Sequence, residues 1–135
     1  MSELAAAVLL ERLIRDSYGP RRSSDIQPLQ WAILRHLERC GAERTNLSAV
    51  TQGVGLTLSP VSRAVSTLAD RGLVKRVSNP ENARGVLVTL TPLGHETLEQ
   101  DPLLKVADQV RGLPRAERRA FVRSIQRLAD GPSSI

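Results

Sequence analysis

The sequence predicts a mainly α-helical protein with one small β-hairpin, and three observations support this fold class. Apolar residues recur at helical spacing in most of the chain, in segments that end near glycine or proline. The stretch 74–90 differs, because β-branched residues lie on both sides of a polar turn. Hydrophobic residues make up 41% of the 135 residues and aromatic residues only 2%, which predicts an aliphatic core.

Charge and cysteine content restrict the possible functions. The net charge of +5 favours an anionic partner. Most basic residues are Arg and not Lys, which suits contacts with phosphate and guanine, but a GC-rich genome explains this preference equally well. The single cysteine, Cys40, excludes an internal disulfide and fits the reducing cytoplasm. The chain has no apolar run long enough to cross a bilayer, so we expect a cytoplasmic protein without a membrane partner.

The N-terminal segment predicts a helix over residues 2–17, followed by a loop. A broad apolar face at a chain end has to pack against its own domain or against a second copy of the chain. Gly19 and Pro20 end the helix, and the basic run 21–24 is then a solvated loop. The apolar face consists of Leu4, Val8, Leu9, Leu13 and Ile14.

A second helix is predicted from Pro28 to Cys40. At its end, Cys40 is better explained as a half-buried structural cysteine than as an oxidisable thiol. His36 falls outside the apolar stripe, which favours a surface histidine over a pH switch. The buried side consists of Leu29, Ile33, Leu34 and Leu37, with Trp31 partly covered.

Two short helices joined by a tight turn are predicted next. Asn46 is expected to cap the first helix, over residues 47–52, and residues 53–55 form the glycine-containing turn. Such a pair is typical of a helix-turn-helix, whose second helix enters the DNA major groove with its N-terminal residues against base edges.

The second of these helices has a defined start, a defined end and two faces. Ser59 is predicted to cap it, with Pro60 at the first helical position and Gly72 just past its end. An outer face of small hydroxyls and one arginine suits a helix that lies close to a polar, anionic surface, although each hydroxyl can instead bond to its own helix. The apolar stripe consists of Val61, Ala64, Val65 and Leu68, and the outer face of Ser62, Arg63, Ser66 and Thr67.

A β-hairpin is predicted directly after this helix. Residues 74–77 and 85–90 form its strands, and the turn-forming residues 78–84 form its polar tip. A helix-turn-helix followed by a hairpin is a winged helix, in which the hairpin is the wing. At the tip, Arg84 is positioned to reach a minor groove, where negative potential attracts arginine.

The remainder of the chain predicts three helical segments. Thr91 caps the first and Pro92 begins it, and Pro102 interrupts it because proline cannot continue a helix. The second segment runs to about Arg111, and the last runs over residues 114–130.

The middle of the chain resembles the MarR family of bacterial transcriptional regulators. The resemblance covers residues 47–94 and is carried by the recognition stretch SPVSRAVSTLADRGLVKR and the wing NPENARGVLVTLTPLG. The family's wing ends with Asp, any residue and Arg, followed by a hydrophobic strand and Leu-Thr-x-x-Gly. Asn82 stands in place of the acid, so the Asp–Arg pair that steadies the wing is lost unless Glu81 substitutes. The matching positions are Arg84, Gly85, Val86, Leu87, Val88, Leu90, Thr91 and Gly94.

The resemblance implies a homodimer whose terminal helices entwine and present two winged helices to a palindromic operator. Pro102 departs from the pattern, because it falls inside what is usually one long dimerisation helix. The implied domains are an N-terminal dimerisation helix (1–18), the winged helix-turn-helix (28–91), C-terminal dimerisation helices (92–130) and a disordered tail (131–135). The resemblance also implies a cleft for phenolic or other small anionic effectors, for which the candidate residues are Arg12, Arg15, Tyr18, Trp31 and His36.

The sequence therefore predicts a sequence-specific regulator that binds double-stranded DNA, a repressor and not an enzyme. We expect no metal and no cofactor, because zinc-ligand spacings and glycine-rich phosphate loops are missing. The alternative is a winged-helix module that binds another protein instead of DNA. Salt distinguishes the two, because added salt weakens DNA binding steeply and does not weaken an apolar protein contact. The predicted DNA contacts are Ser59, Pro60, Ser62, Arg63, Ser66, Thr67, Lys75, Arg76, Asn82 and Arg84, with Arg63 the natural partner of guanine.

Overall fold

The computed structural model confirms the predicted fold class, because seven α-helices and a three-stranded antiparallel sheet make up the described part of the chain. That part comprises residues 1–41, 45–79 and 81–131, with the backbone alone for 82–84. The strands are β1 (Thr45–Asn46), β2 (Val74–Asn79) and β3 (Asn82–Leu90), in the order β1-β3-β2 across the sheet. The helices are α1 (Glu3–Tyr18), α2 (Pro28–Arg39), α3 (Leu47–Val54), α4 (Leu58–Asp70), α5 (Pro92–Thr97), α6 (Leu103–Arg111) and α7 (Arg115–Asp130).

The chain forms two compact units. The winged unit consists of residues 20–101, and the terminal-helix unit consists of residues 1–19 together with the chain from Pro102 onward. The domain boundary predicted after residue 91 differs from this division. The reason is that α5 and the 3-10 turn at Leu98–Gln100 pack against β3 and α2, within the winged unit.

Thr91 and Gly94 fasten α5 to the rest of the winged unit. The Thr91 hydroxyl accepts a hydrogen bond from the Gly94 N–H at 3.0 Å, which confirms the predicted cap, and it donates to the Gly72 carbonyl at 2.6 Å. A Cβ built on Gly94 would lie 2.2 Å from the backbone carbonyl oxygen of Leu73. Only glycine fits this approach, so the Leu-Thr-x-x-Gly pattern at the end of the wing has a structural cause.

The core of the winged unit is aliphatic, as predicted, and α2 and α4 supply most of it. The apolar stripe predicted on α4 is buried, which sets the opposite face of the helix toward solvent. Trp31 is only 6% exposed and is thus buried more deeply than predicted, whereas Leu29 is only half-buried. The other buried apolar side chains are Ile33, Leu34, Leu37, Val50, Val61, Ala64, Val65, Leu68, Leu73, Val74, Val88 and Leu98.

Helix α4 begins two residues earlier than the sequence predicts. Thr57 is its N-cap, without a side-chain capping bond, and Leu58 is the first helical residue. The prediction that Ser59 caps the helix and Pro60 begins it is therefore wrong. Both residues lie in the first turn, where backbone N–H groups have no intrahelical acceptor and a proline costs no hydrogen bond. Gly72 has a φ of 76° just past the helix, as predicted.

The wing is longer than predicted, and a short third strand joins it. β2 and β3 pair as far as Asn79 and Asn82, so most of the predicted polar tip, 78–84, belongs to the strands. Backbone hydrogen bonds hold a hairpin beyond the point where its side chains face a core, and polarity alone therefore does not mark the strand end. β1 pairs with β3 through Thr45 and Val88, and its two residues are too few to show any periodicity.

The terminal-helix unit contains α1, α6 and α7, and no residue of these helices is buried within the single chain. The predicted break at Pro102 is confirmed, because this residue is the N-cap of α6. The last helix begins at Arg115 and not at Pro114, which is its N-cap. Of the tail predicted to be disordered, residues 132–135 lie outside the described residues.

Candidate DNA-reading surface

The outer face of α4 carries most of the side chains for which the sequence predicts DNA contacts. Arg63 is exposed there, on the side of the helix opposite the buried Val61 and Val65. The basic residues of β2 are also exposed and continue this polar surface beyond the helix. The predicted contacts with described side chains are the exposed Ser59, Arg63, Lys75 and Arg76 and the half-buried Pro60, Ser62, Ser66 and Thr67.

Two hydrogen bonds order this face. Arg76 Nη1 donates to Ser66 Oγ at 3.0 Å and thereby connects β2 to α4. The Thr67 hydroxyl donates to the Arg63 carbonyl at 3.2 Å, which is the bonding to its own helix that the sequence left open. The Thr67 hydroxyl has therefore used its donor and can only accept a hydrogen bond from a base. The Ser66 hydroxyl is held in position by Arg76, whose side chain is exposed.

Arg63 forms no ion pair with any carboxylate in the described part of the chain. Asp70 and Glu81 are both exposed, and neither forms a salt bridge with Arg63. The guanidinium therefore keeps its donors for a group outside the chain. The ion pairs between described side chains are Arg15–Glu11, Arg35–Asp101 and Arg111–Asp108, none of which includes a residue of α4.

At the end of the wing, Asn82 and Arg84 belong to β3 by their backbone, and their side chains lie outside the described residues. Their DNA contacts therefore stay predictions. The Glu81 N–H donates to Asn79 Oδ1 at 3.0 Å, a local bond that favours the turn of the hairpin. Glu81 itself is exposed.

Comparison with known proteins assigns this arrangement to a family. Residues 24–85, which include α2, α3, α4 and β2, match the sequence profile of the MarR family. The matched segment makes up 62 of the 135 residues, and over it the chain is similar to the MarR family. This similarity supports a DNA-binding regulator of transcription without enzymatic activity.

Three relatives extend the MarR comparison beyond the matched segment. The uncharacterised HTH-type transcriptional regulator YxaD of Bacillus subtilis is 25% identical over 99 residues, which cover 73% of this chain and 68% of YxaD. BpsR of Bordetella bronchiseptica, whose DNA binding is regulated by 6-hydroxynicotinic acid, is 25% identical with a TM-score of 0.68, covering 93% of this chain and 98% of BpsR. Sco3205 of Streptomyces coelicolor, a MarR-family regulator in complex with DNA, shares the fold with a TM-score of 0.73 at 23% identity, covering 96% of this chain and 87% of Sco3205.

The residues predicted to bind an effector are divided between the two units. Arg12, Arg15 and Tyr18 belong to the terminal-helix unit, where Arg15 bridges to Glu11 at 3.2 Å. Trp31 belongs to the winged unit, and its burial leaves little of its ring for a ligand. The effector role of these residues stays a prediction.

His36, the fifth candidate, packs between α2 and α3. A Cβ built on Gly53 would lie 2.2 Å from the His36 ring, so a glycine inside α3 makes room for the imidazole. Burial, and then the nearby charge of Arg39, lower the pKa of His36 below its ordinary value of 6.5. His36 Nε2 also lies 3.7 Å from Cys40 Sγ. The predicted turn at 53–55 is thus partly wrong, because Gly53 serves helix packing and the turn begins at Gly55.

Among residues 1–41, 45–79 and 81–131, no group of three His, Cys, Asp or Glu side chains is placed to hold a metal ion. Within the same residues, no helix combines the length and the apolar character that crossing a bilayer requires.

Proposed function

We propose that this regulator is a cytoplasmic repressor that binds a palindromic operator as a homodimer and responds to a small-molecule effector. The observation that carries the proposal is the outer face of α4, where Arg63 is exposed without a carboxylate partner among the described residues. An unpaired arginine near the start of the reading helix of a helix-turn-helix is suited to the O6 and N7 acceptors of guanine.

Phosphate contacts supply most of the proposed affinity, and base contacts supply the specificity. Lys75 and Arg76 are exposed on β2 and are proposed to bind backbone phosphates, together with Asn82 and Arg84 of the wing. The bond from Arg76 to Ser66 supports this division, because it fixes a basic side chain beside the reading helix. The base-reading group is proposed to consist of Ser59, Ser62, Arg63, Ser66 and Thr67 beside Pro60.

The operator can be obtained by selecting tight-binding duplexes from a random library. We expect a palindromic sequence, an affinity that falls steeply with added salt, and release when the effector is present. A hydroxylated aromatic acid is the effector class that BpsR suggests, and 6-hydroxynicotinic acid is the first probe. If no duplex is preferred over random DNA, sequence-specific operator binding is excluded. The protein is then better explained as a winged helix that binds another protein.

The proposed homodimer rests on apolar side chains that the single chain leaves exposed in the terminal-helix unit. Leu4 is 75% exposed and Leu128 is 71% exposed, and neither position is favourable in water. An apolar groove of about 510 Å³ opens between α1, α6 and α7, lined by Leu13, Ile14, Val110, Leu113, Phe121 and Ile125. A second copy of the chain is the proposed cover, which gives these helices their dimerisation role.

Light scattering at micromolar concentration is expected to give twice the chain mass of 14.8 kDa. Ile14→Asp places a charge in the apolar groove and is expected to yield a monomer, because an unpaired buried charge is costly. Leu93→Asp is the matched control, since Leu93 is 48% exposed in the winged unit and Ile14 is 42% exposed. A native protein of single-chain mass would contradict both the dimer and the palindrome.

A further inference from the structure

Helix α4 begins with an exposed leucine. Leu58, the first helical residue, is 54% exposed. Leu56, in the turn before the helix, is 49% exposed. These two leucines stand at the end of α4 that meets base edges in a helix-turn-helix, which is an unusual place for apolar side chains left in water.

The position of Leu58 on α4 aligns it with the reading face. Residues four apart lie on the same side of a helix, so Leu58 heads the row that continues through Ser62 and Ser66. Leu58 also lines a groove of about 260 Å³, together with residues 46–48 at the start of α3 and with Asn79, Gly85 and Val86 of the wing. The side chain thus lies on the reading helix beside a groove that the wing also lines, and it is more than half exposed.

We propose that Leu58 is a specificity-determining residue that recognises thymine through the C5-methyl group. This inference rests on the proposed operator binding. In the major groove, the thymine methyl is the apolar group that distinguishes one base edge from the others, and apolar side chains read it by contact. Burying a methyl group against the Leu58 side chain removes apolar area from water, whereas a hydroxyl at this position would gain nothing from it.

Deoxyuridine tests the inference, because it keeps every hydrogen-bonding group of thymidine and lacks only the methyl. Each thymidine of the selected operator is replaced singly by deoxyuridine, and affinity is measured by fluorescence anisotropy. We expect one position in each half-site at which the native protein loses about fourfold in affinity. Leu58→Ala is expected to bind the thymidine and deoxyuridine duplexes equally, and Leu58→Met is expected to restore the difference.

Leu93→Ala is the matched control, since Leu93 is a similarly exposed leucine in the first turn of α5 and should keep the native response. Tight operator binding without sensitivity to deoxyuridine would overturn the inference and leave the proposed function intact. Sensitivity that persists in Leu58→Ala would also overturn it, because another group would then read the methyl. If Leu58→Ala does not fold, Leu58→Gln provides the same comparison. Failure to select any operator would instead overturn the proposed function.

Discussion

Arg63→Ala is expected to weaken binding to the selected operator by about tenfold or more and to weaken binding to random DNA much less. A bidentate arginine–guanine pair contributes roughly 1–3 kcal/mol of discrimination against the wrong base. The exposed guanidinium has no carboxylate partner among the described side chains, so the substitution removes the contact with DNA and no internal bond. Affinities for both duplexes and the melting temperature are measured on the same preparation.

Lys75→Ala is the matched control for Arg63→Ala. Lys75 is exposed on β2 and is proposed to bind a phosphate, so its loss should lower the affinity for all duplexes alike. It should also reduce the slope of log affinity against log salt concentration by about 1, because one phosphate contact is lost. Equal losses for Arg63→Ala on operator and random DNA would contradict base reading. A lowered melting temperature would show that Arg63 stabilises the fold instead.

The helices of this protein were predictable because local signals define them. Asn46 and Thr91 cap α3 and α5 with the side-chain bonds that their sequence positions predict, at 2.7 Å to Ala49 N–H and 3.0 Å to Gly94 N–H. The spacing of apolar residues in α2 and α4 also predicts which face of each helix is buried. Both signals act within one or two helical turns, so the sequence alone contains them.

The start of α4 was not predictable with the same precision. Four successive residues, Thr57 to Pro60, are all compatible with a helix start, because the first turn has no backbone bonds that a wrong residue would break. The local sequence favours Ser59 as the cap, whereas the structure has Thr57 in that position, without a side-chain capping bond. This difference of two residues decides that Leu58 belongs to the reading helix.

The parts of the candidate site that depend on distant residues were beyond sequence reasoning. The residue types on the outer face of α4 were predictable, but the bond from Arg76 to Ser66 joins a strand to a helix. The contact of His36 with Gly53 likewise depends on how α2 and α3 pack, and only the close approach reveals why glycine stands there. Such pairings follow from the tertiary fold and leave no periodic signal in the chain.

Arg35 and Asp101 form the ion pair with the largest expected effect on stability. Arg35 Nε donates to Asp101 Oδ2 at 2.6 Å and Arg35 Nη2 donates to Oδ1 at 2.8 Å, a bidentate arrangement between residues 66 positions apart. The side chain of Asp101 is only 9% exposed and that of Arg35 is 26% exposed. The pair joins α2 to the last residue of the winged unit, immediately before Pro102.

Asp101→Ala is expected to lower the free energy of unfolding of the winged unit by about 3 kcal/mol, because removing one partner leaves a largely buried guanidinium without its carboxylate. Urea unfolding followed by Trp31 fluorescence measures this change, since Trp31 is the single tryptophan and lies in the core of that unit. Protein concentration is held constant, because dimerisation changes apparent stability.

Glu11→Ala is the control for the Asp101 substitution, because it removes an ion pair whose side chains are 73% and 65% exposed and which has a single contact at 3.2 Å. Solvent-exposed pairs contribute little, so this variant should unfold almost like the native protein. Arg35→Met removes the buried charge together with the ion pair. The double variant Arg35→Met with Asp101→Ala should lose less unfolding free energy than the sum of the losses in the two single variants. If Asp101→Ala unfolds like Glu11→Ala, the ion pair does not stabilise the winged unit.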